Sequence, residues 1–300
     1  MMLFSGTASR HLAKKIGASL MTQVLPLDMH VFADGERRVR VSDNVLSQNT
    51  IVVQSTATPV DKHYMELFFI IDSLKRSGAK SVTAVIPYLG YARQDHVFRD
   101  GEAVSVSVVI KLLEAVGVDK VISVDLHTVR IPELFHIPFV HLSALPVFAG
   151  EIKKIASSKV LISPDMGGIA RIKKLSELLG GMPYATIDKE RDLVTGVVEA
   201  KSVSSEEDLA GKTAIIVDDM ISSGNTIVKA ASLLEKQNVR NIIVFATHAV
   251  FSEDAPKLLE ESVVSKVYVT DTISVTEKKQ FAKLQILSVA DIIAKALKGA

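Results

Sequence analysis

The chain has 300 residues, of which 48% are hydrophobic, and its 35 basic and 34 acidic residues leave a formal net charge of +1. This near-balance gives no electrostatic case for binding nucleic acid or a membrane surface, and the absence of cysteine excludes disulfides, thiolate catalysis and Cys-ligated zinc. The length favours two domains. Nothing at the N-terminus resembles a signal peptide, and the longest apolar cluster is far shorter than the about 20 residues that a membrane span needs. We therefore expect a soluble, cytoplasmic protein.

The first half of the chain alternates short apolar strands with amphipathic helices, which is typical of an α/β fold. Strands are predicted at 2–4, 51–54, 82–87 and 121–124, and helices at 9–20, 64–74 and 105–115, with Ser9 as the first cap. Residues 31–41 predict a tight turn at Asp34-Gly35 followed by a half-exposed strand. From these residues alone, a surface hairpin is favoured over a functional site.

Polar residues cluster where two of these strands end. Strand 82–87 runs into Tyr-Leu-Gly-Tyr-Ala-Arg-Gln-Asp-His at 88–96, in which Arg93 can clamp phosphates and Gln94 can hydrogen-bond a base or sugar. Strand 121–124 ends in Asp125-Leu126-His127, where an imidazole beside a carboxylate can ligate a metal, although a lone histidine is more often structural. Because no HExxH or Cys/His spacing is present, a hard cation arriving with a phosphate substrate, such as Mg²⁺, fits better than zinc.

The alternation of apolar strands with amphipathic helices begins again near residue 143 and continues to the C-terminus. Strands are predicted at 159–162, 182–187, 214–217, 242–246 and 267–270, and helices at 255–261 and 290–297, with an amphipathic Lys/Arg-rich helix after 163–168. Lys189 and Arg191 lie two residues apart, so their side chains face the same way in an extended chain. Two cations on one face suit a mobile segment that closes over a polyphosphate. Residues 196–200 are predicted to form half of this flap. From the residues alone, a solvated charged loop is favoured there.

The stretch 213–226, Thr-Ala-Ile-Ile-Val-Asp-Asp-Met-Ile-Ser-Ser-Gly-Asn-Thr, combines the most specific features. A buried strand at 214–217 is followed by Asp218 and Asp219, then by a turn of small residues and a helix that Thr226 is placed to cap. Open α/β sheets bind ligands beyond the carboxyl ends of their strands, and a small-residue loop at a helix N-terminus offers backbone N–H groups to a phosphate. We therefore expect a ligand that carries both a phosphate and hydroxyls. A metal-dependent receiver domain, or a turn that serves only capping, remains open.

Seven short motifs occur in order along nearly the whole chain. They are Phe-Ala-Asp-Gly-Glu at 32–36, Val-Ile-Pro-Tyr-Leu-Gly-Tyr-Ala-Arg-Gln-Asp at 85–95, Asp-Leu-His at 125–127, Ser-Pro-Asp-x-Gly-Gly at 163–168, Asp-Lys-x-Arg at 188–191, Val-Asp-Asp-Met-Ile at 217–221 and Val-Thr-Asp-Thr-Ile at 269–273. In this order they resemble the ribose-phosphate pyrophosphokinase (phosphoribosyl pyrophosphate synthetase) family. The resemblance implies two tandem phosphoribosyltransferase-like α/β domains, at 1–143 and 144–300, each with a mostly parallel central sheet flanked by helices. It also implies that the last helix packs on the N-terminal domain.

The resemblance further implies transfer of the pyrophosphoryl group of MgATP to the C1 hydroxyl of ribose 5-phosphate, giving 5-phosphoribosyl 1-pyrophosphate and AMP for nucleotide biosynthesis. The implied ATP-binding residues are Phe32, Asp34, Gly35, Glu36, Arg93, Gln94 and Asp95, with the adenine contacts made from a neighbouring subunit of a homo-oligomer. Those implied to hold Mg²⁺ are His127 and Asp165. The implied ribose 5-phosphate residues are Arg191, Asp218, Asp219, Ser222, Ser223, Gly224, Asn225 and Thr226. Lys189 and Arg191 are the implied catalytic residues.

The sequence departs from the usual family pattern at two loops. Residues 222–226 replace an Asp-Thr-Ala/Gly-Gly-Thr loop. Residues 96–105 depart from the family's usual basic loop and its Arg-Glu-Pro-Ile-Ser sequence, which bears more on ADP inhibition and oligomer type than on catalysis. Two other functions remain open. A phosphoribosyltransferase that consumes the same product would not need 32–36 or Arg93 and Gln94. A non-catalytic regulatory relative should lose catalytic or metal residues, whereas Lys189, Arg191, His127 and Asp165 are all present.

Overall fold

The computed structural model describes residues 1–191, 198–204 and 208–299, and for 188–191 and 198–201 it describes the backbone alone. The chain divides into two units. Unit 1 comprises Met1–Ser143, Thr272–Ser274 and the C-terminal segment that starts at Ser288, and unit 2 comprises Ala144–Asp271 and Val275–Leu287. Among the residues that the structure describes, no helix has the length and apolar character to span a bilayer.

Unit 1 is built on a six-stranded parallel sheet. In chain order, its elements before the C-terminal segment are β1 (Met2–Ser5), α1 (Arg10–Leu20), β2 (Val24–Leu25), β3 (Leu27–Val31), β4 (Arg37–Val41), β5 (Asn49–Val53), α2 (Val60–Arg76), β6 (Ser81–Ile86), α3 (Ser105–Ala115), β7 (Lys120–Val124) and β8 (Phe139–Leu142). The strand order is β2-β1-β5-β6-β7-β8, and all neighbours are parallel. Successive residues of the central strands are buried, as in a parallel sheet covered on both faces.

Strands β3 and β4 form a separate antiparallel hairpin. Along β4, half-buried and exposed residues alternate, as the sequence predicted. Leu27, Val39 and Val41 pack against the hydrophobic core of unit 1, so the open end of the hairpin is fixed by apolar contacts. The turn at 32–36 is closed by bonds from Phe32 N–H to the Glu36 carbonyl (2.8 Å) and from Gly35 N–H to the Phe32 carbonyl (2.9 Å).

Unit 2 is built on a seven-stranded sheet. Its elements are α4 (Leu145–Ile152), β9 (Lys159–Ser163), α5 (Ile169–Leu178), β10 (Tyr184–Arg191), β11 (Val198–Ser204), β12 (Thr213–Ile221), α6 (Asn225–Glu235), β13 (Asn241–Ala249), α7 (Ala255–Glu261), β14 (Lys266–Thr270) and β15 (Leu284–Leu287). The order is β11-β10-β9-β12-β13-β14-β15, and every pair except β10 with β11 is parallel. The α/β class with two mostly parallel sheets is therefore confirmed.

The last helix, α8 (Ala290–Lys298), belongs to unit 1 and contacts α1. Ser19 Oγ donates to Asp291 Oδ1 at 2.7 Å, and Lys298 Nζ donates to the Ser19 carbonyl at 2.9 Å. Through these contacts the C-terminal segment closes onto the first helix of the chain.

Three sequence predictions in unit 2 and one in unit 1 need correction. Strand β12 does not end at residue 217 but continues through both aspartates, because β13 extends beside it and pairs as far as Ile221 with Ala249. Helix α6 begins at Asn225 with Gly224 at its N-cap, so Thr226 lies inside the first turn and does not cap the helix. Strand β10 likewise runs on past residue 187 to Arg191. Ser9 occupies the N-cap of α1, but its hydroxyl accepts from Ser55 N–H at 2.7 Å, so it makes no cap bond.

Candidate active site

In unit 1, the turn after β6 carries Arg93, Gln94 and Asp95. The turn is held at Gly90, whose carbonyl accepts from Tyr64 Oη at 2.8 Å and whose N–H donates to Thr56 Oγ1 at 2.8 Å. A Cβ atom at residue 90 would lie 2.5 Å from the Thr56 carbonyl oxygen, so this close approach requires glycine. Burial raises the pKa of Tyr64, which therefore stays a neutral donor. The turn is fixed while the side chains of Arg93 and Gln94 are exposed.

Asp95 links this turn to the one that follows β7. Its carboxylate accepts from Thr128 Oγ1 at 2.7 Å, and its other oxygen lies 2.6 Å from His96 Nδ1. Burial opposes ionisation of Asp95, but the hydrogen bonds from Thr128 and His96 outweigh it and hold the pKa of Asp95 below its ordinary value. The structure thus brings the predicted ATP-binding turn together with the turn that carries His127.

The turn after β7 contains a strained residue. Asp125 has a φ of 35°, which is uncommon for a residue with a Cβ atom, and Leu126 N–H donates to His141 Nε2 of β8 at 3.0 Å. These contacts fix the backbone immediately before His127, whose side chain is exposed. The imidazole is therefore presented to solvent at the carboxyl end of the sheet.

The predicted adenine-binding turn at 32–36 lies at the tip of the β3–β4 hairpin, and all of its residues are exposed. Asp34 Oδ1 accepts from Glu36 N–H at 3.0 Å, and the Phe32 ring packs edge-on against His30 with centroids 4.7 Å apart. Phe32 is nevertheless 44% exposed. An ordered turn that presents an aromatic ring to solvent is suited to contact a ligand or another chain.

In unit 2, Asp218 and Asp219 lie near the carboxyl end of β12, and the guanidinium of Arg171 lies close to both. Arg171 Nη1 lies 3.4 Å from Asp218 Oδ1, and its Nη2 lies 3.7 Å from Asp219 Oδ1. Burial and the neighbouring charge of Asp219 raise the pKa of Asp218 well above its ordinary value, although Arg171 opposes the shift. Arg171 comes from α5 and contacts residues 47 positions later, so no local sequence signal identifies it.

The loop at 222–226 continues directly from this acidic pair into α6. Ser222 Oγ lies 3.0 Å from Ser252 Oγ, and Asn225 Nδ2 donates to Ser223 Oγ at 3.2 Å. Gly224 adopts a left-handed φ of 80° at the N-cap of the 11-residue helix, and among the described residues no side chain caps the first N–H groups there. The structure brings together the predicted residues 218, 219 and 222–226 beside a helix N-terminus, a position that favours anions.

Asp165 follows β9, which is the neighbour of β12, so it lies at the same edge of the sheet as the acidic pair. Its Oδ1 accepts from Gly168 N–H at 3.2 Å, and its carbonyl accepts from Ser163 Oγ at 2.7 Å. The other predicted metal residue, His127, belongs to unit 1. Within the described part of the chain, no three or more His, Cys, Asp and Glu side chains form a group that could hold a metal.

The two predicted catalytic residues, Lys189 and Arg191, lie on β10, which pairs with β11 and has an irregular register between Asp188 and Lys189. Their side chains lie outside what the structure describes. The predicted flap at 196–200 is described only from Val198 onward, where β11 begins.

Comparisons with known proteins match both units. A model of the N-terminal domain of ribose phosphate pyrophosphokinase matches residues 1–117, and a model of the phosphoribosyl synthetase-associated domain matches residues 181–299. The chain is 39% identical to a ribose-phosphate pyrophosphokinase from Gloeobacter violaceus, over 98% of this chain and 88% of the relative. It is 37% identical to the enzyme of the same name from Fusobacterium nucleatum, over 98% and 93% of the two chains.

A solved structure is similar over almost its whole length. The crystal structure of phosphoribosylpyrophosphate synthetase from Mycobacterium smegmatis has a TM-score of 0.92 and 37% sequence identity, and the match covers 99% of this chain and 97% of that one. Sequence identity and fold therefore agree along the chain, and both confirm the expected pair of phosphoribosyltransferase-like α/β domains. The chain belongs to the ribose-phosphate pyrophosphokinase family.

Proposed function

We propose that this chain transfers the pyrophosphoryl group of ATP to the C1 hydroxyl of ribose 5-phosphate, giving 5-phosphoribosyl 1-pyrophosphate and AMP for nucleotide biosynthesis. Membership of a family whose relatives are named ribose-phosphate pyrophosphokinase supports this reaction. The observation that carries it is the Asp218–Asp219 pair, whose side chains are 17% and 8% exposed and which lies on β12 shortly before the N-terminus of α6. Two carboxylates beside a helix N-terminus, a position that favours anions, support binding of a sugar phosphate.

At the ribose end, each group has a distinct task. The backbone N–H groups and hydroxyls of 222–226 bind the 5-phosphate, and Asp218 and Asp219 accept hydrogen bonds from the ribose hydroxyls. Arg171 compensates the charge of the two carboxylates, which otherwise repel each other and would repel a phosphate. Arg191 adds a positive charge to the ribose 5-phosphate site.

At the nucleotide end, Arg93 and Gln94 contact the phosphates and sugar of ATP, while Phe32, Asp34, Gly35 and Glu36 contact the adenine. The exposure of the 32–36 turn supports an adenine contact made across a subunit interface in a homo-oligomer. In this assignment, 1–143 is the ATP-contacting domain and 144–300 holds the ribose 5-phosphate loop and the catalytic flap. We further propose that the enzyme works in the cytoplasm.

We propose His127 of unit 1 and Asp165 of unit 2 as Mg²⁺-binding residues. One imidazole and one carboxylate are few ligands, and this fits Mg²⁺, which keeps several waters and shares the phosphate oxygens of its substrates. The bond that Asp165 accepts from Gly168 N–H fixes one of its two carboxylate oxygens. A Mg²⁺ ion held by these residues would supply positive charge against the negative charge that develops during transfer.

The transfer itself needs no protein nucleophile. The C1 oxygen of ribose 5-phosphate attacks the β-phosphorus of ATP, the bond from that phosphorus to the α–β bridging oxygen breaks, and AMP leaves, while the C1 hydroxyl proton passes to solvent. Because such transfers depend mainly on alignment and charge neutralisation, Lys189 and Arg191 act by stabilising the transferred group. Closure of the segment that carries them excludes water, which competes for the same phosphorus.

The proposal is tested by incubating the purified protein with ribose 5-phosphate, ATP and Mg²⁺ and separating AMP from ADP by chromatography. We expect AMP that depends on both substrates, and a rate that falls on the order of 10³- to 10⁵-fold in Lys189→Ala. Lys174→Ala removes an exposed lysine of α5 and serves as the matched control with unchanged rate. ADP as the product would contradict pyrophosphoryl transfer, and absence of turnover would favour a phosphoribosyltransferase or a regulatory relative.

A further inference from the structure

The Glu66 carboxylate of α2 is fully buried and joins three other segments of unit 1. Its Oε1 accepts from Thr7 N–H at 2.6 Å and from Gln54 Nε2 at 3.0 Å, and Thr7 Oγ1 lies 2.9 Å from both carboxylate oxygens. Its Oε2 also accepts from Arg37 Nη1 at 3.1 Å. A buried carboxylate is tolerated only where charge and hydrogen bonds compensate its lost hydration, and Arg37 supplies the positive charge.

Arg37 is the first residue of β4 and directly follows the turn at 32–36. The contacts that fix the hairpin at its open end are apolar, together with a bond from Val41 N–H to Ser73 Oγ at 3.3 Å. The Arg37–Glu66 ion pair lies at the opposite end of β4, next to the turn. It therefore joins the tip of the hairpin to the first turns of α2.

We propose that Arg37 is a positioning residue for the nucleotide, which it serves by holding the 32–36 turn through Glu66 and not by touching ATP. This inference rests on the proposed function, in which that turn binds the adenine. We call the Arg37–Glu66 ion pair the tether. If the tether is lost, the 32–36 turn samples other positions, and only a fraction of the molecules has the turn in the position that binds ATP. The apparent dissociation constant then rises in inverse proportion to that fraction.

The neighbouring arginine provides a matched control on the same strand. The Arg38 side chain is 58% exposed and lies 3.7 Å from the exposed Asp28 of β3, a contact of a kind that contributes little. Arg37→Met and Arg38→Met remove the same charge from adjacent positions of β4, but only the first leaves the buried Glu66 without its ion-pair partner. Effects of net charge on ATP binding are therefore common to both variants.

Steady-state kinetics with each substrate varied in turn test the proposal. For Arg37→Met we expect the KM for ATP to rise about ten- to hundredfold, while kcat at saturating ATP and the KM for ribose 5-phosphate stay within twofold of wild type. Arg38→Met should match wild type in all three constants. A merely structural role would lower kcat or the unfolding midpoint and leave the KM for ATP unchanged, and that result would overturn the proposal.

Two further variants keep the test decisive if Arg37→Met does not fold. Arg37→Lys retains one charged donor and should raise the KM for ATP less than methionine does, whereas Arg38→Lys should not change it. In Glu66→Gln the side chain keeps only one acceptor oxygen, whereas Thr7 and Gln54 donate to one oxygen of Glu66 and Arg37 donates to the other. This variant should therefore raise the KM for ATP as Arg37→Met does. Equal KM values in Arg37→Lys, Arg38→Lys and Glu66→Gln would refute the tether.

Hydrogen exchange of the free protein separates this inference from the proposed function, because it requires no catalysis. The amides of Phe32, Gly35 and Glu36 are hydrogen-bonded within the turn, at 2.8, 2.9 and 3.0 Å. In Arg37→Met, or in Arg37→Lys if methionine is not tolerated, we expect them to exchange about tenfold faster than in the matching Arg38 variant. Unchanged exchange would overturn the tether even in an active enzyme, and faster exchange would support it even if the wild-type protein formed no AMP.

Discussion

The Asp218 carboxyl, which we propose as a ribose-binding group, lies in surroundings that disfavour its ionised form. Burial and the charge of Asp219 raise its pKa, while the Arg171 guanidinium opposes them from 3.4 Å. Residues with strongly shifted pKa values cluster at functional sites, where groups that serve binding often lower the stability of the fold. The sequence motif contains both aspartates but does not indicate Arg171, which reaches them from α5, a helix that packs against β9 and β10.

We expect Asp218→Asn to raise the unfolding midpoint of the ligand-free protein by a few degrees at neutral pH while impairing use of ribose 5-phosphate. The folded pKa is raised, so ionisation of Asp218 costs stability as the pH rises above its ordinary value of 3.8. The gain should accordingly shrink as the pH falls toward that value. Thermal unfolding across pH checks this, with the exposed Asp254→Asn as control. A lower midpoint for Asp218→Asn at neutral pH would contradict the assignment.

Asp95 should show the opposite dependence on pH. Its folded pKa is lowered, so its ionised form stabilises the fold above the ordinary value of 3.8, and this contribution is lost as the pH falls through the folded pKa. The difference in free energy of unfolding between wild type and Asp95→Asn should therefore decrease from about pH 7 to about pH 3. Denaturant unfolding at several pH values measures it. A difference that grows toward acid pH would refute the Thr128 and His96 contacts as its cause.

At the scale of elements, the sequence predicts most strands and helices but misplaces the ends near the site. Helices α3 and α7 lie where periodicity put them, at Ser105–Ala115 and Ala255–Glu261. Strand β12 ends four residues beyond its apolar run 214–217, because the backbone pairing with β13 continues as far as Ile221. A polar residue in a strand interrupts the hydrophobic pattern but not the backbone hydrogen bonds to the neighbouring strand. A prediction from the apolar pattern therefore ends the strand too early.

The start of α6 is set by Gly224, and this gives a test of the loop. A Cβ atom at residue 224 would meet the neighbouring side chains only at 3.7 Å, so an alanine is opposed by the φ of 80° and not by lack of space. We expect Gly224→Ala to destabilise the protein by about 1 kcal/mol and to raise the KM for ribose 5-phosphate much more than that for ATP.

Gly150→Ala is the control for this change. Gly150 lies in α4 with open space around its Cβ position and no positive φ, so alanine there should stabilise the helix by about 0.5–1 kcal/mol and leave both KM values unchanged. Equal effects of the two glycine variants on the ribose 5-phosphate KM would contradict the role given to the loop at 222–226.

At the scale of the whole molecule, the sequence predicts the two α/β units and the motifs at their strand ends but not the pairs that join distant segments. Thr128 with Asp95, Arg37 with Glu66 and Arg171 with Asp218 are 33, 29 and 47 residues apart. Each pair forms because the topology places two segments that are distant in sequence side by side, which is information that local spacing does not contain. The short strands β2, β8 and β15 were missed for a related reason, since neighbouring strands define them more than their own few residues do.

The assignment of His127 and Asp165 to Mg²⁺ gives a prediction for the intact protein. If these two residues bind the ion mainly together with ATP, dialysis against EDTA should reduce AMP formation to background, and added Mg²⁺ should restore it. The measurement is the rate of AMP formation before and after each step. Full activity in the presence of EDTA would contradict the assignment.

The central claim is that the enzyme moves a pyrophosphoryl group as a unit, and the most direct test follows the β-phosphorus. ATP carrying radioactive phosphorus at its β position is incubated with ribose 5-phosphate, Mg²⁺ and the protein, and the products are separated by charge. We predict that the label appears in 5-phosphoribosyl 1-pyrophosphate and that the AMP formed with it is unlabelled. Label that remained in ADP, or appeared as free pyrophosphate independently of ribose 5-phosphate, would contradict the proposed reaction.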